Sequence, residues 1–413
     1  MHIIQTPLFD FDTFITKKGN DRLVMVLAAL PAEVLIATLE REHWTGRTGY
    51  SVRGMWSALI AGLLGQAHSL TAVLRLLERD KDIRIICGFS KDNIPSHDAM
   101  CRFLKKLAGH ADLLEKCFTD LVKESRQLLP GFGSKPAVDS TDIRAYSNGH
   151  RQHPSDGEAR WGAKGAGHHG GPAQKGKQRD LYYWFGYKLH LVVDAFYELP
   201  VSFELTPANE SDIIHMESLL RKAGADREET NPQAVIADKG YDSKSNSKFI
   251  FNECHAAPII PIRERAGEQL PDICNAKGTP SCSCGLEMTY WGRDGNYLKY
   301  RCPHIMGKAQ CTSRFRCTSS DYGYVLKLPI ADDPRRHPPV PRETKKWQRL
   351  YRMRTAIERV HSRLKELLGL DNLTVRGIRK VTIKTIMSLL VMLAVGVGMA
   401  QRHRFKELRC LVV

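Results

Sequence analysis

The sequence predicts an α/β chain in three parts: an all-helical N-terminal module, an α/β core, and a β-rich, cysteine-containing segment inserted into that core. Three observations carry this. Residues 23–128 repeat apolar side chains at helical spacing, and from residue 135 short apolar runs end in aspartate beside turn residues. Six of the eleven cysteines then crowd between Cys274 and Cys317.

The helical module reads as Leu23–Glu40, broken at Pro31, then Val52–Leu64, Leu70–Arg79, His97–Leu107 and Ala111–Leu128. Proline lacks an amide hydrogen and clashes with the preceding turn, so it interrupts the first helix. Ser69 and Ser96 stand where a hydroxyl accepts from the first free amides of a helix. Residues 1–130 form this module. No residue in it singles out a recognition helix, and a plain structural bundle is nearly as good a reading as a recognition module.

In KPAVDSTDI an apolar run ends at Val138 and delivers Asp139 at a strand end, before Ser140 and Thr141. In PQAVIADKGYDS the run Ala234–Ala237 does the same for Asp238, and Gly240 breaks the strand. A buried strand fixes such a carboxylate while the following loop leaves room for a substrate. Either residue alone also reads as a simple cap. Between them, LYYWFGYKLHLVVDAFYELPVSFELT reads as two strands joined by a turn at residues 195–200. His150–Arg179 is rich in Gly, His and Lys and reads as a mobile loop lying along a polyanion, its adjacent His168 and His169 solvated.

The segment YRMRTAIERVHSRLK places Tyr351, Arg354, Glu358 and Lys365 at successive spacings of 3, 4 and 7 residues, on one face of a helix. Ile357, Val360, Leu364 and Leu367 form the opposite, apolar face. Arg354 and Glu358 alone make an ordinary i, i+4 ion pair. Two strand-borne aspartates converging on Glu358 would instead make a two-metal centre. Magnesium is a hard, oxygen-seeking ion bound through a few carboxylates and substrate phosphates. One ion then activates the attacking oxygen and the other stabilises the leaving oxygen.

Charge points to a polyanionic partner. Lys and Arg number 61 against 45 Asp and Glu, a net of +16. Fifteen basic against four acidic residues fall between Arg335 and Lys384, and seven against two between Arg144 and Arg179. Those nets, +11 and +5, equal the whole excess and flank the candidate acids.

Clustered cysteines in a reducing compartment favour metal over disulfides. Structural zinc takes four S or N ligands, usually as two close pairs. Cys282, Cys284, Cys302 and Cys311, with His304 as a substitute, are the candidate set; reduced thiols in a β-rich insertion are the alternative. The proline-rich DDPRRHPPVP reads as a stiff linker back to the Glu358 helix.

Asp139 in AVDSTD, Asp238 in ADKGYDS, and Glu358 within the Tyr351, Arg354, Glu358, Lys365 array resemble the DDE triad of bacterial insertion-sequence transposases. The branch is that of the Y-x2-R-x3-E-x6-K signature, and the likeness runs from about Lys135 to Met399, through GYKLHLVVDA and TPANESD. It implies an RNase H-like core, a mixed sheet flanked by helices, in two stretches, 131–262 and 334–400. The insertion at 263–333 resembles the β insertion of that branch, and residues 401–413 are a basic tail. The resemblance further implies two magnesium ions on Asp139, Asp238 and Glu358, with manganese as a substitute. Tyr351, Arg354 and Lys365 would contact transposon-end DNA. The partners implied are double-stranded terminal inverted repeats and target DNA, joined in a homodimer.

The expected function is cut-and-paste transposition. A nuclease without strand transfer and a domesticated, non-catalytic DNA binder are the rivals. No secretory signal is read at the start, and the apolar stretch Ile386–Ala400, 15 residues, falls short of the ~20 that span a bilayer. It reads as a buried core helix, and the expected location is the cytoplasm, at the nucleoid.

Overall fold

The computed structural model describes residues 20–43, 49–165, 181–225, 230–263, 274–275, 278–312 and 317–411. Its helical part runs α1 (Asp21–Ala29), α2 (Glu33–His43), α3 (Val52–Leu64), α4 (Leu70–Arg79), α5 (Lys81–Ile86), α6 (His97–Leu107) and α7 (Ala111–Leu128). Pro31 lies in the break where α1 and α2 bend by 82°. Ser51, Ser69 and Ser96 accept from Gly54, Ala72 and Ala99 amides and start α3, α4 and α6. The short α5 was not expected. Asp80 ends α4 and at once caps α5, its Oδ1 accepting from Ile83 N at 2.9 Å, so two helices share a residue that periodicity reads as one boundary.

The sheet contains β1 (Pro136–Arg144), β2 (Arg160–Gly165), β3 (Leu181–Asp194), β4 (Pro200–Pro207), β5 (Ala234–Ala237) and β6 (Ala257–Ile259). β1 lies between antiparallel β3 and parallel β5, with β6 parallel beyond it; the far edge of β3 carries β4 and then β2. An antiparallel meander continued by two parallel strands is the RNase H-like arrangement. Helices α8 (Met216–Lys222), α9 (Lys244–Asn252), α10 (Lys345–Arg352), α11 (Thr355–Ser362) and α12 (Ile378–Gln401) flank it.

Four readings change. Asp139 sits in mid-strand rather than at a strand end, because β1 continues through the mostly polar Ser140–Arg144 while β3 supplies its hydrogen bonds. Part of the expected loop, Arg160–Gly165, is strand β2 on the edge of β3; residues 166–180, with His168 and His169, lie outside the described residues. The Tyr351–Lys365 helix is not continuous. It breaks at Met353–Arg354 between α10 and α11 and widens into a π-helical turn at Arg363–Leu367. Finally, α12 spans 24 residues, long and apolar enough to cross a membrane, but 94% of its most apolar window is buried inside the fold. It packs against α7, α1 and β4 as a core helix, as read.

The segment between β6 and α10 forms a separate antiparallel sheet of β7 (Thr289–Asp294), β8 (Tyr297–Arg301) and β9 (Val325–Pro329). Cys282, Met288, Leu298, Tyr300, Leu328 and Ile330 make its small core. The proline-rich return is bolted to the main core. Arg335, 6% exposed, donates from Nη2 to Asp242 Oδ2 at 2.7 Å, and Arg342 Nε donates to Ile260 O at 3.0 Å.

Candidate active site

Val138 of β1 pairs in parallel register with Ala237 of β5. Asp139 and Asp238 are therefore the next residues on two adjacent strands, so sheet pairing alone brings these carboxylates together. Asp139 Oδ1 accepts from Ser140 N at 2.8 Å. Asp238 Oδ1 accepts from Gly240 N at 2.7 Å and caps the 3-10 turn Lys239–Tyr241. A Cβ on residue 240 would stand 2.8 Å from that same oxygen, which explains the glycine.

α11 lies across β1 and β3 and buries Ala356, Ile357 and Val360 completely, with Leu364 below them. This leaves Glu358 facing outward, half exposed. Arg354, at the break before α11, bridges the site: Nη2 lies 2.7 Å from Glu358 Oε1 and Nη1 lies 3.6 Å from Asp139 Oδ2. Its guanidinium also sits 5.9 Å from the centre of the Tyr351 ring, which stacks on Trp347 at 4.9 Å. Lys365 is turned inward by the π-helical turn, its Nζ 3.3 Å from both Asp142 and Asp371.

The electrostatics follow the crowding. Burial, then the neighbouring Asp238, push the Asp139 carboxyl up to about 7; Arg354 acts against this and Asp212 adds to it. Burial also opposes the charge of Asp142, but Lys164 and Lys365 outweigh it and hold that carboxyl down to about 2. Tyr241 is buried beside these acids, and burial, Asp139, Asp212 and Asp238 together raise its phenol.

Asp139 and Asp238 are thus brought side by side, and Glu358 joins them through Arg354. Among the described residues no three His, Cys, Asp or Glu side chains form a ready metal cage. A donor set of hard carboxylate oxygens, two of them carried by adjacent strands, fits a divalent cation of the magnesium class. Sequence reasoning missed Asp212, Lys188, Asp142 and Tyr241. Asp142 lies in the quoted AVDSTD and Asp212 in TPANESD, but their partners come from other strands and turns.

In the insertion, Cys282 and Cys302 are buried, Cys284 and Cys311 are partly exposed, and none of the four is in a disulfide among the described residues. Gly285, at φ +76, closes a tight turn in which its amide donates to Cys282 O at 2.9 Å. The thiol of Cys317 is raised by desolvation and then by Cys284, Cys302 and Cys282, which places it in their neighbourhood. Cys311 instead donates its amide to His304 Nδ1 at 3.3 Å.

A family model described as Transposase DDE domain matches residues 131–394, and one described as Transposase domain (DUF772) matches residues 9–106. No curated protein matches the chain. Among solved structures, a cryo-EM structure of the piggyBac transposase synaptic complex with hairpin DNA is similar at 9% identity and a TM-score of 0.41. That likeness covers 95% of this chain and 80% of that one. With the DDE-domain match spanning well over half of its length, the chain belongs to the transposases with a DDE domain, enzymes of DNA transposition that bind DNA and use divalent metal ions.

Proposed function

We propose that Asp139, Asp238 and Glu358 hold two magnesium ions, which manganese can replace, in a cut-and-paste reaction at the ends of an insertion sequence. The observation that carries this is the parallel register of Val138 with Ala237, which sets two carboxylates side by side below the Glu358 helix. Bound there, the ions would activate the attacking oxygen and neutralise charge at the phosphate. The protein's own part is positioning. Arg354, poised between Asp139 and Glu358, is free to turn to a phosphate once cations occupy the carboxylates. Tyr351 and Lys365 flank that phosphate path, and the stacked Trp347 holds Tyr351 in place.

In the first step water attacks a phosphodiester at the element's end, and the 3′-oxygen leaves with a proton as a 3′-hydroxyl. That hydroxyl then attacks a second phosphodiester, forming one ester bond as another breaks. No covalent enzyme intermediate is required. Residues 1–130 would recognise the terminal inverted repeats and make homodimer contacts, and the enzyme would work at the cytoplasmic nucleoid. In the insertion, Cys282, Cys284, Cys302 and Cys311, with His304 as a substitute, would bind a structural zinc.

Labelled transposon-end DNA with magnesium tests the reading. Glu358→Ala and Asp238→Ala should abolish cleavage and retain end binding, whereas the wild type should cleave and then join ends to target DNA. Cleavage without joining by the wild type would point to a nuclease. Cleavage by either variant would remove that residue from the site.

A further inference from the structure

A second polar layer lies against the Asp139 and Asp238 pair. Asp212 opens a 3-10 turn, Asp212–Ile214, that packs on the turn Lys239–Tyr241 directly after Asp238. One buried amide joins the two turns, Asn246 Nδ2 donating to Ile213 O at 3.1 Å and to Tyr241 O at 3.0 Å. From β3, the neighbour of β1, Lys188 places Nζ 3.0 Å from Asp212 Oδ1 and donates to Glu210 O at 2.6 Å. His190, fully buried two residues along, has its Nδ1 3.7 Å from the same Asp212 oxygen. That nitrogen has no hydrogen-bond partner among the described residues. The other ring nitrogen meets Thr206 Oγ1 at 3.0 Å, and the ring stacks on His215 at 4.2 Å.

A solvated surface acid needs no such bed. Asp212 is held by Lys188 and His190, both from β3, yet 34% of its side chain remains open.

We propose that Asp212 is a further carboxylate of the divalent-metal centre, held by Lys188 so that it accepts hydrogen bonds from the water shell of an ion bound by Asp139 and Asp238. This rests on the reading of Asp139 and Asp238 as metal ligands. Lys188 and His190 are positioning residues, acting through Asp212. Divalent ions of this class keep several waters, and groups that orient such a shell typically contribute ten- to a hundredfold in metal affinity.

The test is manganese binding by the full chain without DNA, read from the electron paramagnetic resonance signal of free Mn2+, with thermal unfolding in chelator alongside. Asp212→Asn should weaken Mn2+ binding by about tenfold or more at an unchanged metal-free melting temperature. Glu210→Gln, on the same loop, should leave affinity as it is. If Asp212→Asn does not fold, Asp212→Ser, which keeps an acceptor for Lys188 without the charge, carries the same expectation. Wild-type affinity in the folded Asp212 variant, with affinity lost in Asp139→Asn and Asp238→Asn, would overturn this inference alone. Unchanged affinity in Asp139→Asn and Asp238→Asn would overturn the reading beneath it.

Discussion

Replacing Asp139 by Asn should stabilise the metal-free protein while destroying its activity. In the folded chain the Asp139 carboxyl is raised from 3.8 to about 7, chiefly by burial and then by Asp238. Across the window between those values the folded state keeps a proton that the unfolded state has released. Stability therefore falls as pH rises through the window, and above about 7 the whole penalty is present. A shift of about 3 units at 1.36 kcal/mol each bounds the penalty at about 4 kcal/mol. A fifth of the side chain stays open to water, 21%, and Arg354 lies 3.6 Å away. The pull of Arg354 is already contained in the value of about 7, and screening by solvent reduces the realised figure to about 2 kcal/mol. Asn keeps the shape and an acceptor for Ser140 N but carries no charge. Denaturant unfolding in chelator at pH 5, 6, 7 and 8 should show the variant's advantage growing over this range and levelling off above pH 7. Excess magnesium should then stabilise the wild type and not the variant. A difference that is absent, or the same at every pH, would refute the assignment of the raised carboxyl to Asp139.

Arg354→Ala and Lys365→Ala should each weaken end binding and lower the salt slope by about one ion per lost phosphate contact; fluorescence anisotropy across a salt series checks this. Asp242→Ala should cost about 3–5 kcal/mol in denaturant unfolding, because it strands the guanidinium of Arg335 in the core; the Asp242 side chain is 0% exposed. Protein purified without chelator should hold about one zinc per chain by metal analysis, and Cys282→Ser should release it. Chelation should loosen the insertion, since the folding free energy of a small metal domain is largely metal-binding free energy.

What was legible in the chain was what local rules decide. Serine caps, the break at Pro31 and the apolar periodicity of α3, α6 and α7 are properties of a few consecutive residues, and the helices begin where those residues say. Asp238 was placed correctly after its strand because Gly240 signals the turn within two positions. Asp139 was not. Its strand runs on through Ser140–Arg144 only because Leu181–Asp194 lies beside it, and a pairing partner some fifty residues away leaves no mark on local pattern. The continuous helix drawn through Tyr351, Arg354, Glu358 and Lys365 failed for a related reason. Spacing fixes faces only while the winding stays at 3.6 residues per turn, and the break at Arg354 and the wider turn at Arg363 alter it.

The same distinction explains which site residues stayed hidden. Asp142, Lys188, Asp212 and Tyr241 have no spacing in common, and each acquires its chemistry from charges on other elements. Lys365 satisfies the signature by spacing, yet its ammonium is held between Asp142, on β1, and Asp371, beyond the helix, a contact that no helical wheel contains. Such cross-element ion pairs are what a basic chain needs around clustered carboxylates. Several acids at the site have a nearby cation: Arg354 for Asp139 and Glu358, Lys188 for Asp212, and Lys164 and Lys365 for Asp142. The net charge read from composition therefore understates the organisation. Beside the carboxylates the basic groups are already partnered, and phosphate or a divalent ion must compete with those pairs to enter.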